Sequence, residues 1–326
     1  MKIRSLRPAV ALPGGVLRVE LEGAVNPEAL SITVGGAAVD VIGVSSDFAL
    51  IRIPESAQGG LVVECGGRTA EADLKLGRTL AEELHPVANP AVDASGRVYV
   101  TYSGTRGESV PYGVFQVGPD GTRQPFLGDI TNPTGLAFGP DGLLYVSSRH
   151  SGTVFRSTMD RQVEKFVEGL GIATGIAFDS RGNLFVGDRS GFLYKVGPDG
   201  QTTLHCELEP SVSAYHLAVD SADNLFVTGP TLATQDTIYR VTPAGFVEAW
   251  FKGFGRPQGL AFDPESRLHV VGSYRGRKGV FVLESQDRRP ELRIAAPMLV
   301  GLAFDPAGTA LYLVDGSRLY RVELPL

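Results

Sequence analysis

The stretch Asn132–Val146, NPTGLAFGPDGLLYV, recurs in close copies to the end of the chain. TGIAFDSRGNLFV begins at Thr174, YHLAVDSADNLFV at Tyr215, QGLAFDPESRLHV at Gln258 and VGLAFDPAGTALYLV at Val300. A worn copy, ANPAVDASGRVYV, begins at Ala88. Alignment on the small residue before the apolar triplet gives Asn89, Gly135, Gly175, His216, Gly259 and Gly301, at steps of 46, 40, 41, 43 and 42 residues. A period near forty, with two short strands around a Gly/Asp/Pro turn, signals a radial β repeat. Six copies predict six blades.

The first quarter does not share the repeat. Lys2–Leu6, Val16–Leu21, Leu30–Val34, Val39–Val44, Phe48–Ile53, Leu61–Cys65 and Thr69–Leu74 read as seven short strands. Turns such as Pro13-Gly14-Gly15 separate them, which predicts a small β-sandwich. Within the repeat, the second copy divides into an innermost strand Gly135–Phe138, then Leu143–Ser147, Thr153–Ser157 and an outermost Val163–Glu168. The last copy stops one strand short, after Gly301–Phe304, Ala310–Val314 and Leu319–Glu323. LAEELHPVAN from Leu80 aligns without a gap against FVEGLGIATG from Phe166, so Arg78–Glu83 is expected to supply the missing outer strand. The fold class is therefore all-β, a sandwich over residues 1–75 and a six-bladed propeller over 76–326, closed by an N-terminal outer strand. On this division, residues 1–74 are expected to be removable and 1–83 not.

Length allows one small and one large domain with separate cores. A net charge of −6 argues against wholesale binding to nucleic acid or an anionic membrane. There is no apolar run of eighteen residues, and MKIRSLRPAVALPGG lacks a signal-peptide core, so the chain as written reads as soluble and cytoplasmic, or extracytoplasmic if a leader has been trimmed. Cys65 and Cys206 show no metal-ligand spacing and read as two buried free thiols.

The opening, IRSLRPAVALPGGVLRVELEG, resembles the IPT/TIG family of immunoglobulin-like domains. The signature P-x-G-[LI]-A-F-D-x-x-G-x-[LV]-[YF]-V resembles the NHL-repeat and SMP-30/gluconolactonase/strictosidine-synthase superfamily of six-bladed propellers. The resemblance implies fold more than chemistry, since the superfamily includes lactonases, lyases, synthases and binding platforms. Its lactonases hold a divalent cation on the axis through Glu, Asn and Asp just before the innermost strands. The matching positions here are Ala88, Thr134, Thr174, Tyr215, Gln258 and Val300. None is a carboxylate, so no metal and no cofactor is expected. The virginiamycin-lyase branch carries a His/Glu arrangement in its later blades. Of the histidines in the corresponding half, His269 lies mid-strand among apolar neighbours and reads as structural, while His216 replaces an axial glycine and reads as either structural or functional.

In this topology the loops entering each innermost strand and leaving the second strand open on one face. That face collects Arg149, His150, Asp188, Arg189, Arg256, Tyr274, Arg275, Arg277, Lys278 and Asp315, above an axial mouth of Thr134, Thr174, Tyr215, His216 and Gln258. Arginine forks suit carboxylate or phosphate. The loops Ser103–Tyr112 and Gly229–Asp236 are longer than their counterparts and stand beside this opening. Two functions stay open. One is a metal-free binding platform for a small anionic ligand or a protein partner. The other is a hydrolase related to the lactonases, using Tyr215 and His216 as its catalytic candidates.

Overall fold

The computed structural model describes residues 1–23, 26–284 and 289–325. Strands and loops fill it, with one 3-10 turn at Pro27–Ala29. Among the described residues, the repeat region forms six sheets in chain order whose own strands pair antiparallel. The first holds Ala91–Val92, Val98–Thr101, Val114–Val117 and Arg123–Leu127. The second runs from Pro133–Phe138 through Leu144–Ser148 and Thr153–Ser157 to Val163–Val167, within a residue or two of the sequence reading. The third begins at Ala173–Phe178, the fourth at His216–Val219, the fifth at Leu260–Phe262 and the sixth at Gly301–Phe304. Each innermost strand lies against the next, and that of the sixth returns to that of the first.

The repeating glycines explain that closeness. A Cβ on Gly135 would stand 2.4 Å from the Thr174 carbonyl oxygen, and one on Gly301 would stand 2.6 Å from that of Ala88. The innermost strands therefore meet backbone to backbone. The repeating aspartate closes the hairpin between the first two strands. Asp179 Oδ1 accepts from Asn183 N at 2.8 Å, and Asp220 Oδ1 accepts from Asn224 N at 2.8 Å. Asp263 does the same for Arg267 N at 2.8 Å. A side chain that satisfies turn amides locally lets every unit end its hairpin without outside help.

The sixth sheet is completed from the other end of the chain. Arg78–Ala81 pairs antiparallel with Leu319–Glu323, with Arg78 opposite Arg321 and Thr79 opposite Tyr320. Residues before this strand form two four-stranded sheets whose inner faces share a core of Leu17, Val19, Ile32, Val34, Ile51 and Leu61. The predicted strands are all present, the last of them at Arg68–Ala72 rather than Thr69–Leu74.

Three strands were not anticipated, one of them the short Ala37–Ala38 beside Leu30–Val34. Val10–Ala11 pairs in parallel with Ile294–Ala295, and Lys75–Leu76 pairs in parallel with Val10–Ala11, so both extend the fifth sheet outward. Val10 and Leu12 enter one apolar cluster with Ile294, Leu302, Leu313 and Tyr320. Arg318 reaches Glu55 at 2.7 Å across the same junction. The first 74 residues thus share core and hydrogen bonds with the repeat region, contacts that their removal would break.

Candidate functional site

The loop between the second and third strands of the first sheet is held by one buried side chain. Asn132 is completely buried and adopts a left-handed backbone, φ 49°, which asparagine tolerates better than most residues. Its Oδ1 accepts from Gly107 N at 2.6 Å, and its Nδ2 donates to the carbonyls of Ser103 and of Thr105, the latter at 2.7 Å. Glu108 braces the same loop by accepting from Thr105 N and Oγ1, both at 2.7 Å. The Asn132 carbonyl also receives Arg149 N at 3.3 Å.

This frame brings cations together. Arg149, half-buried, donates from Nη2 to the Gly104 carbonyl at 2.8 Å, while its buried Nε has no acceptor. Gly107 lies against the His150 ring. Arg189 of the third sheet donates to the carbonyls of Val212 at 3.0 Å and Ser211 at 3.4 Å. Burial first, and then the charges of Arg189 and Arg106, hold the Arg149 pKa below its ordinary value. Among the described residues, no carboxylate stands within ion-pair distance of Arg106, Arg149 or Arg189. Four of the sequence candidates lie here: Arg149, His150, Asp188 and Arg189. Asp188 serves the frame, accepting from Ile172 N at 2.9 Å and Ser190 N at 3.0 Å. Arg106 was missed, because the loop carrying it is longer than its counterparts and no aligned position marks it. We expect Asn132→Ala to cost about 2–3 kcal/mol, since it strips three hydrogen bonds from a buried frame. Urea melts check this, and amide exchange over residues 103–108 should quicken with it.

The remaining candidates are placed otherwise. Arg256 is exposed, its backbone N on Asp236 Oδ2 at 3.2 Å, and Arg275 lies over the Tyr274 ring at 5.3 Å. Tyr274 packs edge-on to Phe281 and Phe251. Arg277 leaves the face altogether and donates to the Arg7 and Val16 carbonyls. Asp315 is taken up by Arg318 and the Tyr320 hydroxyl within the sixth sheet.

The expected mouth residues are corrected by their packing. Thr134 and Thr174 are buried, and their hydroxyls donate to the carbonyls of Asn132 and Gly187. Gln258 Nε2 donates to the Leu299 carbonyl at 3.3 Å. Tyr215, 1% exposed, lies in the core against Gly187 and Gly229, and its hydroxyl donates to the Glu209 carbonyl. Burial, with nearby acidic groups, pushes its pKa well up. The two glycines make the room that turns this ring inward. His216 is also 1% exposed and lines a narrow axial gap of about 10 Å³ with Asn89, Leu136, Ile176 and Leu217. Neither ring nitrogen has a partner, and burial depresses its pKa to about 3. His269 Nε2 meets Asp263 Oδ2 at 2.9 Å, the place that the Tyr99 hydroxyl takes on Asp93 in the first sheet. It is the repeat's turn brace in another residue. Among the described residues, no group of three or more His, Cys, Asp or Glu side chains is arranged to hold a metal ion.

No family profile matches this chain, and no curated protein matches it in sequence. Solved structures do share its fold. A gluconolactonase from Xanthomonas campestris is 19% identical over 76% of this chain and 89% of its own, at a TM-score of 0.61. An auxiliary nutrient binding protein from Bacteroides ovatus is 15% identical over 98% of this chain and 96% of its own, at 0.55. A catalytically inactive variant of virginiamycin B lyase from Staphylococcus aureus, solved with quinupristin, is 14% identical over 95% of this chain and 100% of its own, also at 0.55. Among the described residues no helix is long and apolar enough to cross a membrane. At these identities the likeness is one of fold: the chain is an all-β protein built on a propeller of the gluconolactonase and virginiamycin B lyase kind.

Proposed function

We propose that the chain is a binding platform that holds an anionic ligand or an acidic partner surface on its loop face. In this reading residues 1–75 are an IPT/TIG-like sandwich and 76–326 a six-bladed propeller closed by its own outer strand. The observation that carries the proposal is the group Arg106, Arg149 and Arg189, drawn from three successive units and left without a carboxylate. Three guanidiniums near one another repel, and the half-buried one loses hydration that the Gly104 carbonyl replaces only in part, its Nε being left without an acceptor. An oxyanion from outside offers both charge and acceptors. The nutrient binding protein of Bacteroides ovatus supports the reading at the level of architecture, because it matches nearly the whole chain. The hydrolase reading rests on likeness of fold to the gluconolactonase, and its two side chains are already occupied or sealed: Tyr215 by the Glu209 carbonyl, His216 by burial.

Titration with pyrophosphate and with citrate tests this. Affinity is expected to fall as salt rises, since exposed charges are screened beyond about 8–10 Å. The pair Arg106→Glu and Arg189→Glu should weaken binding at least tenfold, about 1.4 kcal/mol, while Arg4→Glu with Arg68→Glu changes it little. Both pairs alter net charge equally. Equal losses in the two double variants, or no salt-sensitive binding of either anion, would sink the proposal.

A further inference from the structure

A second cationic site lies away from the loop face. The chain from Leu6 to Val10 faces Arg277 and the strand residues Glu291, Leu292 and Arg293 across a cleft of about 480 Å³. That volume falls within the range of small-molecule sites, roughly 300–1,000 Å³. One wall comes from the N-terminal residues and the other from the fifth sheet. Leu6, Pro8, Ala9 and Leu292 make it partly apolar.

Its charges do not balance. Arg277 is held by two neutral acceptors, the Arg7 carbonyl at 2.9 Å and the Val16 carbonyl at 3.3 Å. Among the described residues, no carboxylate stands within ion-pair distance of it, and burial, then the nearby Arg18, holds its pKa below the ordinary value. Arg7 is 3.9 Å from Glu20, but Arg18 already engages that carboxylate at 2.8 Å. Glu291 pairs with Arg293 at 3.4 Å. Three arginines line the cleft; Glu291 answers Arg293, Glu20 is shared between Arg7 and Arg18, and Arg277 has no carboxylate.

We infer that this cleft binds a small organic carboxylate with an apolar body, its anionic end on Arg277 and Arg7 and its body against Leu6, Pro8 and Leu292. A planar carboxylate suits a guanidinium fork, and the apolar wall adds burial that a bare inorganic anion cannot use. Because the two walls belong to different parts of the chain, an occupant clamps them together and should raise the melting temperature.

Hexanoate is the probe, with hexanol as its neutral counterpart and inorganic phosphate as an anion without a body. Hexanoate at millimolar concentration is expected to raise the melting temperature of the full chain carrying the Arg106→Glu, Arg189→Glu pair, in which loop-face anion binding is weakened, while equal hexanol or phosphate does not. Arg277→Gln should weaken hexanoate binding at least tenfold. That variant also loosens the junction, so Arg7→Gln, whose side chain is 69% exposed, is measured beside it and should weaken binding about threefold. The Arg106→Glu, Arg189→Glu pair should leave it unchanged, which separates this cleft from the loop face. The inference is overturned if hexanol or phosphate matches hexanoate, if Arg7→Gln and Arg277→Gln bind it undiminished, or if the loop-face pair abolishes the response.

Discussion

Between pH 7 and pH 4.5 the protein is expected to lose on the order of 3 kcal/mol of stability through His216 alone. Burial holds this ring neutral in the folded state, with its pKa at about 3 against the usual 6.5. The unfolded chain takes up the proton at the ordinary value. Stability is therefore complete above about pH 6.5 and falls as the pH drops toward 3, at roughly 1.4 kcal/mol per unit. His205 and His269, also depressed chiefly by burial, add to the same limb. His216→Leu isolates the one contribution, since it keeps the bulk and cannot titrate. Its acid limb should be shallower than that of the parent by that amount. At pH 7 it should be no less stable, because the parent buries two ring nitrogens without partners, at roughly 1–3 kcal/mol for an unsatisfied buried group. Urea melts from pH 7 to 4.5 measure both. Parallel pH profiles in the two proteins would mean that the ring charges elsewhere than in the axial gap.

Leu12→Ala is expected to cost about 3 kcal/mol, within the usual 2–5 kcal/mol for emptying a fully buried leucine. Leu12 is completely buried, its backbone N on the Ala295 carbonyl at 2.8 Å and its side chain pressed against Gly77. Its neighbours Leu302, Leu313 and Tyr320 belong to the sixth sheet. The loss should therefore lower the melting of the whole chain in one transition instead of splitting it. A chain begun at Lys75 would go further, exposing the edge at Ile294–Ala295 together with the apolar surface under Val10 and Leu12. If that truncation melted like the full protein, the shared core would contribute nothing.

The repeat was legible because backbone contact between innermost strands leaves no room for a side chain at four of the six turns of the ring, and glycine at 135, 175, 259 and 301 records it. The closing strand was legible for a related reason, since Leu80–Asn89 keeps the pattern of an outer strand and the joint that follows it. Val10–Ala11 was not. Two residues are too short to show alternation, and their partners lie about 280 residues away. In the candidate site, Arg149 and Arg189 were found through the register of their loops. Arg106 was hidden because the Ser103–Tyr112 insertion has no register, and only Asn132 reveals where it is fixed. Tyr215 and His216 show the opposite limit. Register gave their height along the axis, but the space left by Gly187 and Gly229 decided where the tyrosine ring went.

The pairing of Arg78–Ala81 with Leu319–Glu323 has a consequence for synthesis. A strand made early must wait for a partner about 240 residues downstream. At roughly 5–20 residues per second that delay is about 12–48 s, far longer than a hairpin needs to form. During translation the first four sheets can each zip up from their own neighbouring strands, while the fifth and the sixth also take strands made at the start of the chain. The ring therefore stays an open arc until Leu319–Glu323 has been made. A stalled or clipped C-terminus would strand that arc with both ends free, offering two exposed strand edges to any second copy nearby.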